Sequence, residues 1–79
     1  MKLENEINKL SAEKIENYME YERDKTVDGF AVLEAIENDI FESGVESEFY
    51  YTDDDLKIII EGTYNHQNGQ IIIESIRNC

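Results

Sequence analysis

The chain has 79 residues, 19 Asp or Glu against 7 Lys or Arg, and a net charge of −12. That length makes one small acidic domain, 1–79, with space for a single modest core, and the 41% of hydrophobic residues exclude a disordered acidic tail. The charge argues against direct binding to nucleic acid or to an anionic membrane surface, both of which repel it.

No apolar stretch approaches the roughly 18 to 20 residues that span a bilayer, and the opening MKLENEINKL is charged throughout, unlike a signal peptide. The one cysteine, Cys79, has no partner for an internal disulfide. These features together predict a cytoplasmic protein, either a monomer or a small homodimer.

In chain order, residues 3–23 read as a helix. Leu3, Ile7, Leu10, Tyr18 and Tyr21 fall in one arc of a helical wheel, which Ile15 and Met19 widen. Lys14 interrupts that stripe, and Ser11 is an N-cap type of residue at which the helix could divide. Glu16 and Glu20, like Lys9 and Glu13, take ordinary exposed-face positions one turn apart. A link over Arg23–Val27 leads to Asp28, a good N-cap, and Phe30, Leu33, Ile36, Ile40 and Phe41 then recur at helical spacing up to Gly44, a natural C-terminal stop.

Beyond Gly44 the period changes from 3.6 to 2. Val45, Ser47, Phe49 and Tyr51 alternate with Glu46, Glu48, Tyr50 and Thr52, as in a strand with one wet face. Asp53-Asp54-Asp55 makes a turn, Leu56, Ile58, Ile60 and Tyr64 a second strand, and 70–77 a third. The last two are joined through Asn65-His66-Gln67-Asn68-Gly69, whose Asn-Gly is a hairpin signal compatible with a two-residue or a four-residue loop. The fold class is therefore α+β: two N-terminal helices packed on a three-stranded antiparallel β-meander, ααβββ. Ile58, Ile60, Ile71, Ile73, Phe30, Leu33, Ile36, Ile40 and Phe49 form the expected core, with Ile72 and Ile76 as the other choice of inward set in the last strand.

No catalytic constellation stands out. A Ca²⁺ loop beginning at Asp53 would need Gly at position 58 and Glu at position 64, where this chain has Ile58 and Tyr64. The one histidine, His66, lies in the hairpin turn with no nucleophile beside it, and reads as an ordinary turn residue. The expectation is a protein that is not an enzyme and takes no metal and no cofactor.

The informative feature is the block from Thr26 to Leu56: 31 residues with ten Asp or Glu and no Lys or Arg. A charge of magnitude roughly 2–8 serves the solubility of a small domain, so the chain's −12 exceeds that need. A one-signed field suits a basic partner surface. The residues placed at such a contact are Glu34, Asp39 and Glu42 on the second helix, Glu46, Glu48 and Tyr50 on the first strand, and Asp53, Asp54 and Asp55 in the turn. Tyr50 shares the wet face with Glu46 and Glu48, where a ring offers anchor area and a face for arginine. Tyr18, Tyr21 and Tyr51 read instead as core-edge residues.

In size, charge and lack of catalytic motif the chain resembles the phage-encoded inhibitors that block restriction enzymes, CRISPR effectors or DNA-repair enzymes. The resemblance implies an acidic nucleic-acid mimic occupying the basic groove of a nuclease or of a CRISPR or restriction effector. The same physics fits an immunity protein for a basic toxin nuclease. A different class is an acidic structural or regulatory domain that self-associates. With −12 set against a polyanion there is no counterion release to drive association, so the purified protein is expected not to retard DNA or RNA in a gel shift at physiological salt, and micromolar binding would overturn the charge argument.

Overall fold

The computed structural model describes residues 5–79. Helix α1 (Glu6–Arg23) starts at Asn5, whose side chain accepts the Asn8 N–H at 2.9 Å, and ends at Asp24 in the left-handed conformation. Helix α2 (Gly29–Ser43) is capped by Asp28, whose carboxylate accepts the Phe30 and Ala31 N–H groups, and stops at Gly44 with φ 70°. Strands β1 (Glu48–Asp53), β2 (Ile58–Asn65) and β3 (Gln70–Asn78) follow as an antiparallel meander in the order β1-β2-β3. The architecture is ααβββ, with Ile15, Met19, Leu33, Ile36 and Ile40 of the helices packed onto Phe49, Ile58, Ile60, Ile71 and Ile73 of the sheet.

The apolar face of α1 differs from the wheel reading. Its buried residues are Asn8, Ser11, Ala12, Ile15 and Met19, while Leu10 is 61% and Tyr21 89% exposed; Leu3 lies outside the described residues. The reason is that α1 lies along the free edge of β3 and meets it with polar side chains. Asn8 Nδ2 donates to Gly69 O at 2.8 Å and its Oδ1 accepts the Ile71 N–H at 2.7 Å. Ser11 Oγ donates to Ile71 O at 2.6 Å, and Lys14 Nζ to Ile73 O at 3.2 Å. Spaced three residues apart, Asn8, Ser11 and Lys14 share one side of the helix, so a stripe that looks polar is an inward one. Ser11 is no break; it sits within an uninterrupted helix.

Two close approaches set the rest of the packing. Gly29 rests on the α1 backbone, where a Cβ would run into the Ala12 carbonyl. Its N–H donates to Glu16 Oε2 at 2.8 Å, so Glu16 is no ordinary exposed-face residue but caps α2 from α1. At Gly62 a Cβ would meet the backbone of Ile72 and Ile73. The β2–β3 register shifts between Glu61 and Gly62, which pair with Ser75 and Ile73 and leave Glu74 as the extra, bulged residue. Before the bulge Ile71 and Ile73 face the core and Ile72 is 47% exposed; after it Ile76 packs against the core. Ile71 and Ile73 are the inward set, and the bulge, which switches the alternation midway, adds Ile76 to it while Ile72 stays outside.

The hairpin loop is the four-residue one, with Asn65 paired to Gln70 and Gly69 at φ 72°. Strand β1 begins at Glu48, later than expected from Val45, and Leu56 belongs to the β1–β2 turn. Phe30 is half-buried and Phe41 58% exposed, while Ala12, Val32 and Tyr64 join the core.

Replacing Asn8 by Ala leaves the Ile71 N–H and the Gly69 carbonyl buried without the Asn8 amide, at about 1–3 kcal/mol per group. Asn8→Ala is therefore expected to lower stability in urea unfolding by about 2–5 kcal/mol, a large fraction of what a small domain has. Lys9→Ala, one residue along at an exposed position, should stay within about 0.5 kcal/mol.

Candidate partner-binding surface

Glu34 and Glu42 on α2, Glu46 and Glu48 at the start of β1, and Asp54 and Asp55 in the β1–β2 turn are all exposed. Asp39 and Asp53 are half-buried. Of the nine candidates, Glu46 and Glu48 lie at one end of β1 and Asp53, Asp54 and Asp55 at the other, separated by about 17 Å at the usual strand rise.

At the turn end, Asp53 is used internally. One of its carboxylate oxygens accepts the Leu56 N–H at 2.9 Å and the other the Tyr51 hydroxyl at 3.3 Å. Burial, Asp53, and then Asp39 and Asp55 push the Tyr51 phenol up to about 12. The fields of these carboxylates act on one hydroxyl, so Asp39 of α2 lies close enough to Tyr51 to be felt there, which the helix wheel alone could not show. At the other end Glu46 and Glu48 point to solvent.

Tyr50 is 56% exposed, as its strand position required, but it is not bare. The Arg77 guanidinium lies 5.8 Å from its ring centroid and donates to Glu61 Oε2 at 2.8 Å. Ser75 Oγ donates to the same oxygen at 3.1 Å. The Arg77 bond, then the Ser75 bond, hold the Glu61 carboxyl below its ordinary range. Glu48, Tyr50, Glu61 and Glu74 surround a shallow depression of about 340 Å³ at Gly62, on the sheet face away from the helices.

Among the described residues the one ion pair is Glu61–Arg77, so the exposed acids of α2, β1 and the turn have no Lys or Arg bound to them. Most of the other described cations sit elsewhere, Lys9, Lys14 and Arg23 on α1 and Lys25 just after it, whereas Lys57 lies in the β1–β2 turn itself. Lys14 and Arg23 already donate to backbone carbonyls of Ile73 and Lys57. Among the described residues no three His, Cys, Asp or Glu side chains are grouped to hold a metal ion, and no helix is long and apolar enough to cross a membrane.

Two residues carry more than the sequence suggested. His66 is not an ordinary turn residue: its Nε2 donates to Val45 O at 2.9 Å, and its ring meets Tyr64 edge-on at 4.7 Å between centroids, with Phe41 beside both. This ties the β2–β3 loop to the end of α2. Glu37, one of the ten acids in the block, accepts the Tyr64 hydroxyl at 2.9 Å and is spent within the fold. These partners lie 21 and 27 residues apart, too far for any local pattern to pair them. Tyr18 is an edge residue bonded to Asn78, whereas Tyr21 is simply exposed.

Burial, then the Glu37 bond, raise the Tyr64 phenol from 10.0 to about 12, as burial and Asp53 do for Tyr51. Fold and phenol are linked: the stability is fully present below the unfolded value near 10 and is lost as pH climbs toward about 12. Urea midpoints are expected to fall across that window, and Tyr64→Phe, which cannot ionise, should flatten the fall. A wild-type midpoint that is level there would contradict the linkage.

Comparison with protein-family models, with curated proteins and with solved structures gives no match to this chain.

Proposed function

We propose that this protein is an acidic inhibitor that binds another protein by occupying its basic, nucleic-acid-binding surface. One observation carries the reading: among the described residues no Lys or Arg is bound to the exposed carboxylates of α2, β1 and the turn, although the chain has seven Lys and Arg and spends two of them on its own backbone carbonyls. Like charges left together weaken a compact state. A basic partner relieves that repulsion, and the relief is free energy of binding.

Duplex DNA carries about one charge per 1.7 Å of axis. The acids along α2, β1 and the turn are sparser, which fits mimicry of the part of a duplex that one groove contacts. The partner class is a basic nuclease or a restriction or CRISPR effector, and a toxin nuclease neutralised by its immunity protein belongs to the same physical class. Clustered charge steers encounter, and ordinary buffers screen it beyond about 8–10 Å, so association is fast and steeply salt-dependent.

The test is a set of purified basic nucleases and effectors, with binding measured at low and high salt and in competition with duplex DNA. Glu46 and Glu48 are exposed and make no side-chain bond among the described residues, so reversing both to Lys should leave stability within about 0.5 kcal/mol. The double reversal is expected to weaken binding by roughly ten- to a hundredfold, chiefly through the association rate. An affinity indifferent to salt and to the reversal would make the acidic side a solubilising surface.

A further inference from the structure

We propose that the outer edge of β1 takes up an extended, cationic peptide segment of the partner by strand addition; this rests on the acidic-surface reading and names how the partner is held. The hydrogen-bond pattern of the sheet fixes which groups are on offer. Tyr64 N–H donates to Ser47 O at 2.7 Å. Continued along the antiparallel register, that pattern makes Phe49/Gly62, Tyr51/Ile60 and Asp53/Ile58 the hydrogen-bonded pairs. Glu48, Tyr50 and Thr52 therefore turn their N–H and C=O groups away from β2, and no described residue bonds to them.

The other edge of the same sheet is covered along Ile71 and Ile73. There the outward groups of Ile71 and Ile73 are held by Asn8, Ser11 and Lys14 of α1. The fold covers one edge with a helix and leaves the other open, and an open edge is a template for another strand.

Charge selects the occupant. A second copy pairing two-fold about Tyr50 would set Glu46 of one molecule against Asp54 of the other, and each molecule carries −12. A cationic strand meets carboxylates on both of its faces. On the outer face it passes Glu48 and Tyr50 with Glu61 and Glu74 behind them; on the helix face it passes Tyr51 with Asp39, Asp53 and Asp55. Arg77 already shows the chemistry within the chain, with its guanidinium over Tyr50 and bonded to Glu61. Backbone pairing supplies the register and Arg or Lys side chains the selectivity.

The experiment uses the whole protein and a short peptide alternating Arg and Val, beside the same peptide N-methylated at every second amide on the pairing side. Methylation removes the backbone donors and keeps the charge. The unmodified peptide is expected to bind at low salt and to slow hydrogen exchange at the amides of Glu48, Tyr50 and Thr52. The methylated peptide should bind roughly tenfold or more weakly. Thr52→Pro, which removes an outward N–H and no ladder bond, should weaken the unmodified peptide similarly, with circular dichroism checking the fold. Equal binding of the two peptides would overturn strand addition and leave the acidic-surface reading standing, since charge alone would then suffice. Failure of both peptides at low salt would overturn strand addition and the reading beneath it. A wild-type dimer in sedimentation that Thr52→Pro dissolves would make the occupant a second copy and overturn the proposal.

Discussion

The carboxamide of Asn8 does for β3 what a neighbouring strand would do. It accepts the Ile71 N–H and donates to the Gly69 carbonyl, both at distances of a good peptide hydrogen bond. Ser11 and Lys14 continue the row on the Ile71 and Ile73 carbonyls. These bonds satisfy the Ile71 N–H and the Gly69, Ile71 and Ile73 carbonyls where this stretch of chain is buried against a helix. The fully buried Ile15 and Met19 on the same helix are then carried over the core. Much of the tertiary structure follows from this seam, because a sheet of three short strands needs one covered face to be stable in water.

The position of α2 depends on α1 in turn. Gly29 admits the close crossing at Ala12, and the Glu16 carboxylate takes a free N–H at the start of α2, where the helix dipole favours negative charge. The far end of α2 is tied to the sheet through Glu37 on Tyr64 and through the Phe41, Tyr64 and His66 rings. Between these anchors Leu33, Ile36 and Ile40 join Ile58 and Ile60 in one buried core. Bulk apolar burial supplies the driving force, and a few polar contacts choose the geometry in which it is collected.

The same sorting governs the charges. Glu16, Glu37, Asp28 and Asp53 are absorbed as caps or as acceptors for tyrosine hydroxyls, and Glu61 is paired with Arg77. What remains on α2, β1 and the turn is a set of exposed carboxylates beside an uncovered strand edge. An uncovered edge is usually protected by charge against copies of itself. Under the strand-addition proposal, the same acidic edge disfavours a second copy and admits a cationic strand.

The element order, the caps at Asp28 and Gly44, the acidic block, and a core built on Leu33, Ile36, Ile40, Phe49, Ile58, Ile60, Ile71 and Ile73 are legible in the amino-acid sequence. Those features are local: capping is settled within a turn, and periodicity within a dozen residues. The inward face of α1 comes from tertiary packing: Asn8 and Ser11 are buried because Ile71 of β3, 63 and 60 residues away, bonds to them. Tertiary packing also decided the bulge at Glu74, which puts both Ile73 and Ile76 on the core side, since no alternation pattern announces where it will be interrupted. The candidate surface divides the same way. Its acids were legible one by one from composition, but the meeting of Asp39 with Asp53 and Asp55 at Tyr51, and the open edge of β1, come from the sheet order and the packing of α2, which bring together groups that no local spacing relates.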